Sequence, residues 1–192
     1  VALPTRDSPG GRGARGRILQ AALVLFRERG ITAIGVAELA AAAQVSKRTL
    51  YQHFPSKDDV VLAYLQAFED EPGLGPEGVL GRAELSPRAR LLELFAALEA
   101  APRRGCPFIE AAVQLADPAH PAHRFAADHK GRFTERLTEL ARAAGARRPE
   151  QVGRRLALLY DGAASEIVVD AHSDAAPDAR VMAAALLRDA ID

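Results

Sequence analysis

The chain has 192 residues, 48% of them hydrophobic but only 5% aromatic and none Trp, which is enough apolar surface for one or two compact cores and excludes a disordered chain. The one cysteine, Cys106, excludes an internal disulfide and a cysteine-built zinc site. Lys plus Arg and Asp plus Glu balance at 25 each, yet residues 1–60 carry nine basic and five acidic side chains, net +4, and leave −4 for the remainder, so neutrality does not exclude a polyanionic partner for the N-terminal part.

Residues 1–13 mix Pro, Gly, Ser and Arg without apolar periodicity and read as a flexible basic arm that carries Arg12. From Ala14, Ile18, Leu19, Ala22, Leu25 and Phe26 recur at helical spacing until Gly30 stops the helix. Val36 to Ala43 is a short helix burying Val36, Leu39 and Ala40, and Gln44 and Val45 make a turn. Ser46 then caps a helix from Lys47 to His53, anchored by Leu50 and Phe54 and ended by Pro55. Ser56 and Asp59 have capping-box spacing, and Val60, Val61, Tyr64, Leu65 and Phe68 trace the stripe of a fourth helix.

Four glycines and two prolines between Glu71 and Arg82 predict a loop. Beyond it, Ser86 and Pro87 start a helix through Leu91, Leu92, Phe95 and Leu98, and Phe108 to Ala116 forms a short one. A long helix after Pro121 carries Phe125, His129, Phe133, Leu137 and Leu140 up to Gly145. Another runs from Pro149 to about His172, and a last one from about Pro177 to Ile191. The expectation is an all-α fold of about nine helices, divided into the arm at 1–13, a three-helix helix-turn-helix domain at 14–56 and a helical ligand-binding and dimerisation bundle at 57–192.

Function concentrates in VAELAAAAQVSKRTLYQHF, residues 36–54. A buried helix, a short turn and a second helix with a polar, basic outer face suit the major groove of double-stranded DNA. On a helical wheel Lys47, Arg48, Thr49, Gln52 and His53 escape the Leu50 stripe, which makes Arg48, Thr49 and Gln52 candidates for base edges or nearby phosphates and Tyr51 and Lys57 for phosphates. Arg12 and Arg15 add positive charge from the arm and the first helix. The helix after Pro149 is apolar around much of its circumference, more than one core face needs. It predicts a homodimer interface through Leu156, Ala164, Ile167 and Val168, completed by Val181 and Leu186 of the last helix.

The segment ITAIGVAELAAAAQVSKRTLYQHFPSKDDVV, and above all VSKRTLYQHFPSKDDVV, resembles the DNA-binding domain of the TetR family of bacterial regulators, a likeness covering about residues 14–68. The resemblance implies phosphate grips at Tyr51, His53, Lys57 and the helix start at Val36. Two positions depart from the family pattern: Gly35 stands where a capping Ser or Thr is usual, and Gln44 replaces the turn glycine. The segments RRGCPFIEAAVQLADPAHPAHR and LALLYDGAASEIVV resemble one branch of the same family. By that likeness an unidentified small-molecule effector enters the C-terminal bundle and releases the dimer from a palindromic operator, so that the chain acts as a repressor. Inward-looking aromatics and polar tips make Phe95, Leu98, Cys106, Phe108, Val113, Phe125, His129, Phe133, Leu159, Tyr160 and Ala163 the candidate pocket.

Other chemistry finds less support. His120, His123 and His129 with Asp117 and Asp128 have poor metal-ligand spacing, and Cys106 beside Arg103 and Arg104 is expected to be inert. There is no Gly-rich phosphate loop, paired-carboxylate motif or nucleophile with its base, so no enzyme and no cofactor are expected. A helical interaction module without an effector pocket is the alternative, and a small all-α enzyme a more remote one. With no run of about 18 apolar residues and no signal-peptide pattern, the expected place is the cytoplasm, without a membrane partner.

Overall fold

Apolar side chains at helical spacing between Gly and Pro punctuation produce helices throughout, and no strand forms among the described residues. The structure is a computed structural model and describes residues 13–70, 75–99, 105–170 and 172–191; Arg12 lies outside them. The helices are α1 (Ala14–Arg29), α2 (Val36–Ala42), α3 (Lys47–His53), α4 (Lys57–Asp70), α5 (Glu77–Leu80), α6 (Pro87–Glu99), α7 (Pro107–Gln114), α8 (Pro121–Ala143), α9 (Pro149–Val169) and α10 (Ala175–Ile191).

The described residues thus hold ten helices where the sequence suggested about nine. The addition is α5, a single turn inside the Gly- and Pro-rich stretch, held by Leu80, which is buried. Four residues are too few to display a helical period, so this turn had no sequence signature. The end of α9 and the start of α10 also fall a few residues from the expected places: Asp170 closes α9 and α10 begins at Ala175.

The caps follow local chemistry. Ser46 Oγ accepts the Thr49 N–H at 3.0 Å. At α4 the reciprocal capping box forms, Asp59 N–H donating to Ser56 Oγ at 3.1 Å and Ser56 N–H to Asp59 Oδ2 at 2.8 Å. Ser86 Oγ accepts from Ala89 N–H at 3.2 Å at the head of α6.

Two compact units result, one of the chain up to Asp70 with Pro107–Ala126, the other of the stretch between Asp70 and Cys106 with Ala127 onward. In the first, α1 packs on α2, α3 and α4, and α4 on α7. Ile18, Phe26, Leu39, Leu50, Tyr64 and Leu65 are buried, and the Phe26 and Tyr64 rings meet edge to face at 5.4 Å, a geometry that adds to simple area burial. In the second, α10 packs on both α6 and α9 around Leu91, Leu94, Phe95, Leu137, Leu156, Ala183 and Leu187. Tyr160 lies between Phe95 and Phe133, with ring centroids 6.0 and 5.4 Å away.

Candidate nucleic-acid interface

The turn between α2 and α3 aims the second helix, and its geometry comes from four backbone groups. Val45 N–H donates to Ala40 O at 2.9 Å and Gln44 N–H to Ala41 O at 3.0 Å. Together they form a Schellman closure, which needs a left-handed residue between them. Gln44 takes that role with φ 53°. Arg17 of α1, not foreseen from sequence, donates its Nε to Ala43 O at 3.1 Å and ties α1 to the same turn. Gly35 precedes α2 in an extended conformation with no side-chain cap, and its carbonyl accepts Leu39 N–H at 3.1 Å.

On α3, Leu50 is buried while Lys47, Arg48, Tyr51, Gln52 and His53 are exposed. The helix contains no acidic residue, so its outer face is cationic and rich in hydrogen-bonding groups. Thr49 is half-buried, and its hydroxyl lies 2.9 Å from Ser46 Oγ. It is therefore already engaged at the cap, and Gln52 is the more accessible polar side chain. Arg15 is exposed and stacks its guanidinium 5.0 Å from the Phe54 ring centroid, an attraction that holds a cation beside the end of α3. Val36 and Lys57, both half-buried, occupy the first positions of α2 and α4. Burial pushes the Lys57 ammonium below its ordinary range, with neighbouring Asp58 acting in opposition. A phosphate oxygen beside that ammonium would favour its charged form again.

Beyond α3, the first unit brings together groups that sequence inspection left apart. Gln114 Oε1 accepts the Thr32 N–H at 2.9 Å and the Thr32 hydroxyl at 3.1 Å. His120 Nε2 lies 3.2 Å from Asp58 Oδ2. Neither pair has a local signal, since 82 residues separate Thr32 from Gln114.

The candidate pocket residues divide between the units. Phe108 and Phe125 form a tilted ring pair at 6.4 Å in the first. Val113 of the same unit is 72% exposed and lines no interior, because it sits on the outward side of α7. Phe95, Leu98, Cys106, His129, Phe133, Leu159, Tyr160 and Ala163 belong to the second, where Phe95, Leu98, Phe133 and Ala163 are core. His129 is buried with Nε2 3.5 Å from Glu77 Oε1. Burial, reinforced by Cys106, Glu77 and Asp161 nearby, pushes the Tyr160 phenol well above its ordinary range, so it remains a neutral hydroxyl.

Of the residues expected on a dimer face, Leu156 is 0% exposed and Ile167 is also buried, both inside the core of the protomer itself and so not available to a partner. Ala164 and Leu186 are half-buried, and Val168 and Val181 are exposed. The outward apolar positions on α9 and α10 include Leu158 at 74%, Val169 at 83% and Met182 at 59%. A shallow groove of about 270 Å³ runs between the two helices, lined by Leu158, Leu159, Ala163, Ala179 and Met182. A one-face helical period does not tell the inner from the outer line on a helix apolar on both.

Residues 18–64 match the family model described as bacterial regulatory proteins, tetR family. The HTH-type transcriptional repressor KstR2 of Rhodococcus jostii is 40% identical over 68 residues, which is 35% of this chain and 33% of that protein. The HTH-type transcriptional activator FasR of Mycolicibacterium smegmatis is 50% identical over 56 residues, 29% of this chain and 26% of that one. The chain thus matches a third or less of the length of these curated relatives. The likeness to SCO4454, a TetR-family transcriptional regulator from Streptomyces coelicolor, is chain-wide: its crystal structure superposes with a TM-score of 0.85 at 30% identity, covering 93% of this chain and 96% of that one.

Proposed function

We propose that this chain, which belongs to the TetR family of DNA-binding transcriptional regulators and not to a family of enzymes, works in the cytoplasm as a homodimeric repressor that a small molecule releases from a palindromic operator. The observation that carries the reading is the exposed, acid-free α3 with Lys47, Arg48 and Gln52 outward on a Ser46-capped frame. Such a helix enters the major groove with its first residues, while the starts of α2 and α4 meet phosphates through Val36 N–H and Lys57. Arg48 and Gln52 have the donor and acceptor geometry to read base edges, Arg toward guanine and Gln toward adenine.

Symmetry supplies the rest. Two copies joined through Leu158, Val169, Val181 and Met182 would present two α3 helices to half-sites one helical turn, about 34 Å, apart. Covering these exposed apolar residues is the driving force for pairing. The effector is read into the second unit, where Tyr160 and His129 offer polar groups in an apolar setting. Release requires a coupling of only about 1–3 kcal/mol between effector and DNA. One curated relative is a repressor and the other an activator. Repression needs only occupancy of the operator, whereas activation asks for a further surface toward polymerase, so repression is the reading adopted. No helix among the described residues is long and apolar enough to cross a membrane.

Selection of bound fragments from source genomic DNA should recover a palindromic site. Lys57→Ala should then weaken every duplex alike and lower the salt dependence by about one phosphate contact per subunit, whereas Gln52→Ala should cost about 1–3 kcal/mol only where its base is present. Equal losses on all sequences for both variants, or no salt-sensitive duplex binding by the parent, would sink the reading.

A further inference from the structure

We propose that Gln114 and His120 are positioning residues for duplex binding: each ties one phosphate-gripping helix start, that of α2 or that of α4, to the segment Pro107–Ala126. This inference rests on the DNA-binding reading above, and all its contacts lie within the first unit.

At the first point, Gln114 Oε1 receives both the Thr32 N–H and the Thr32 hydroxyl, at 2.9 and 3.1 Å. Its Nε2 donates to Glu110 Oε1 at 2.9 Å, which fixes the amide the right way round, since a flipped amide would face Thr32 N–H with another donor. The space for the amide is shaped by a glycine: at Gly30, where φ is 86°, a Cβ would come within 3.0 Å of Gln114 Nε2. Three residues after Thr32 the chain reaches Gly35, which precedes α2 without a side-chain cap. The second point is built on one imidazole. His120 Nδ1 accepts Ala122 N–H at 3.1 Å, so the neutral ring carries its proton on Nε2, which faces Asp58 Oδ2 at 3.2 Å. Asp58 lies in the first turn of α4, next to Lys57.

Both grips therefore have a side chain from outside the helix-turn-helix sequence tied close to them, Gln114 to Thr32, four residues before Val36, and His120 to the carboxylate of Asp58, next to Lys57. Hydrogen bonds this accessible to water add little to folding. What they fix is the distance between two helix starts that must meet phosphates at set spacing, and a small displacement is enough to lose a contact. The inference predicts a loss of phosphate contacts that does not depend on base sequence.

The test uses the full chain and a duplex of about 30 base pairs of random sequence, long enough for both half-sites. Gln114→Leu, which keeps the bulk but not the acceptor, and His120→Ala should each weaken binding about three- to tenfold and reduce the slope of log affinity against log salt by about one per subunit. Melting temperature should stay within about 3 °C of the parent. Thr32→Ala removes one of the two bonds from the other end and should give a smaller loss in the same direction. Folded variants with parental affinity and slope would overturn the inference, as would a lower affinity at unchanged slope, which would mean that the contacts act on stability alone. Absence of salt-sensitive binding by the parent would instead bring down the DNA-binding reading itself.

Discussion

At Gln44 a side chain occupies backbone space that ordinarily suits glycine. With φ 53° it bears a strain of about 1 kcal/mol, against which the Schellman pair to Ala40 and Ala41 acts. Gln44→Gly should raise unfolding stability by up to about 0.5 kcal/mol, the relief of strain being largely offset by a freer unfolded chain, and a urea titration would register it as a slightly higher midpoint at unchanged slope. A lower midpoint would mean that the glutamine side chain makes a stabilising contact of its own. The φ of Gln44 came from the fold, and only its place at the turn, by motif register, was readable before any coordinates. The engagement of Thr49 with Ser46 was not: side-chain hydroxyls within one turn have several partners, and only the built cap selects between them.

At the scale of the helix, boundaries were legible wherever a cap or breaker stands next to an apolar stripe, as at Ser46, Ser56, Pro87, Pro121 and Pro149. The packing partners were not, because helical periodicity records that a face is covered and not by what. Gly153 is a case in point. In sequence it is an unexplained glycine inside α9, a choice that costs about 1 kcal/mol against alanine. In the fold a Cβ there would lie 2.8 Å from Thr138 Cα and N on α8, so the glycine permits two helix backbones to approach. Gly153→Ala, favourable by intrinsic propensity, should therefore destabilise by about 1–3 kcal/mol through overpacking and lower Tm by several degrees in thermal circular dichroism. An increase in Tm would show that α8 yields without cost.

For the whole molecule, the outward apolar positions Leu158, Val169 and Met182 set the expectation for assembly. Met182→Glu, and independently Leu158→Glu, should convert a sedimenting species of two chains into one of a single chain. Tm should fall and lose its dependence on protein concentration, since pairing stabilises the folded chain by mass action. Operator affinity should fall by at least a hundredfold, because two reading helices no longer act as one bivalent unit. Two-chain sedimentation by both variants would exclude this face.

The amino-acid order alone specified the all-α class, the limits and caps of α3 and the cationic character of its outer face. All of these arise from interactions within a few residues. What needed the folded chain was the assignment of apolar positions on α9 to inside and outside, with Leu156 and Ile167 enclosed and Leu158 and Val169 left out. It also supplied the grip of Gln114 on Thr32 and of His120 on Asp58. Those contacts join distant parts of the chain, and the chemistry of either partner has no meaning until packing brings the other within 3 Å or so.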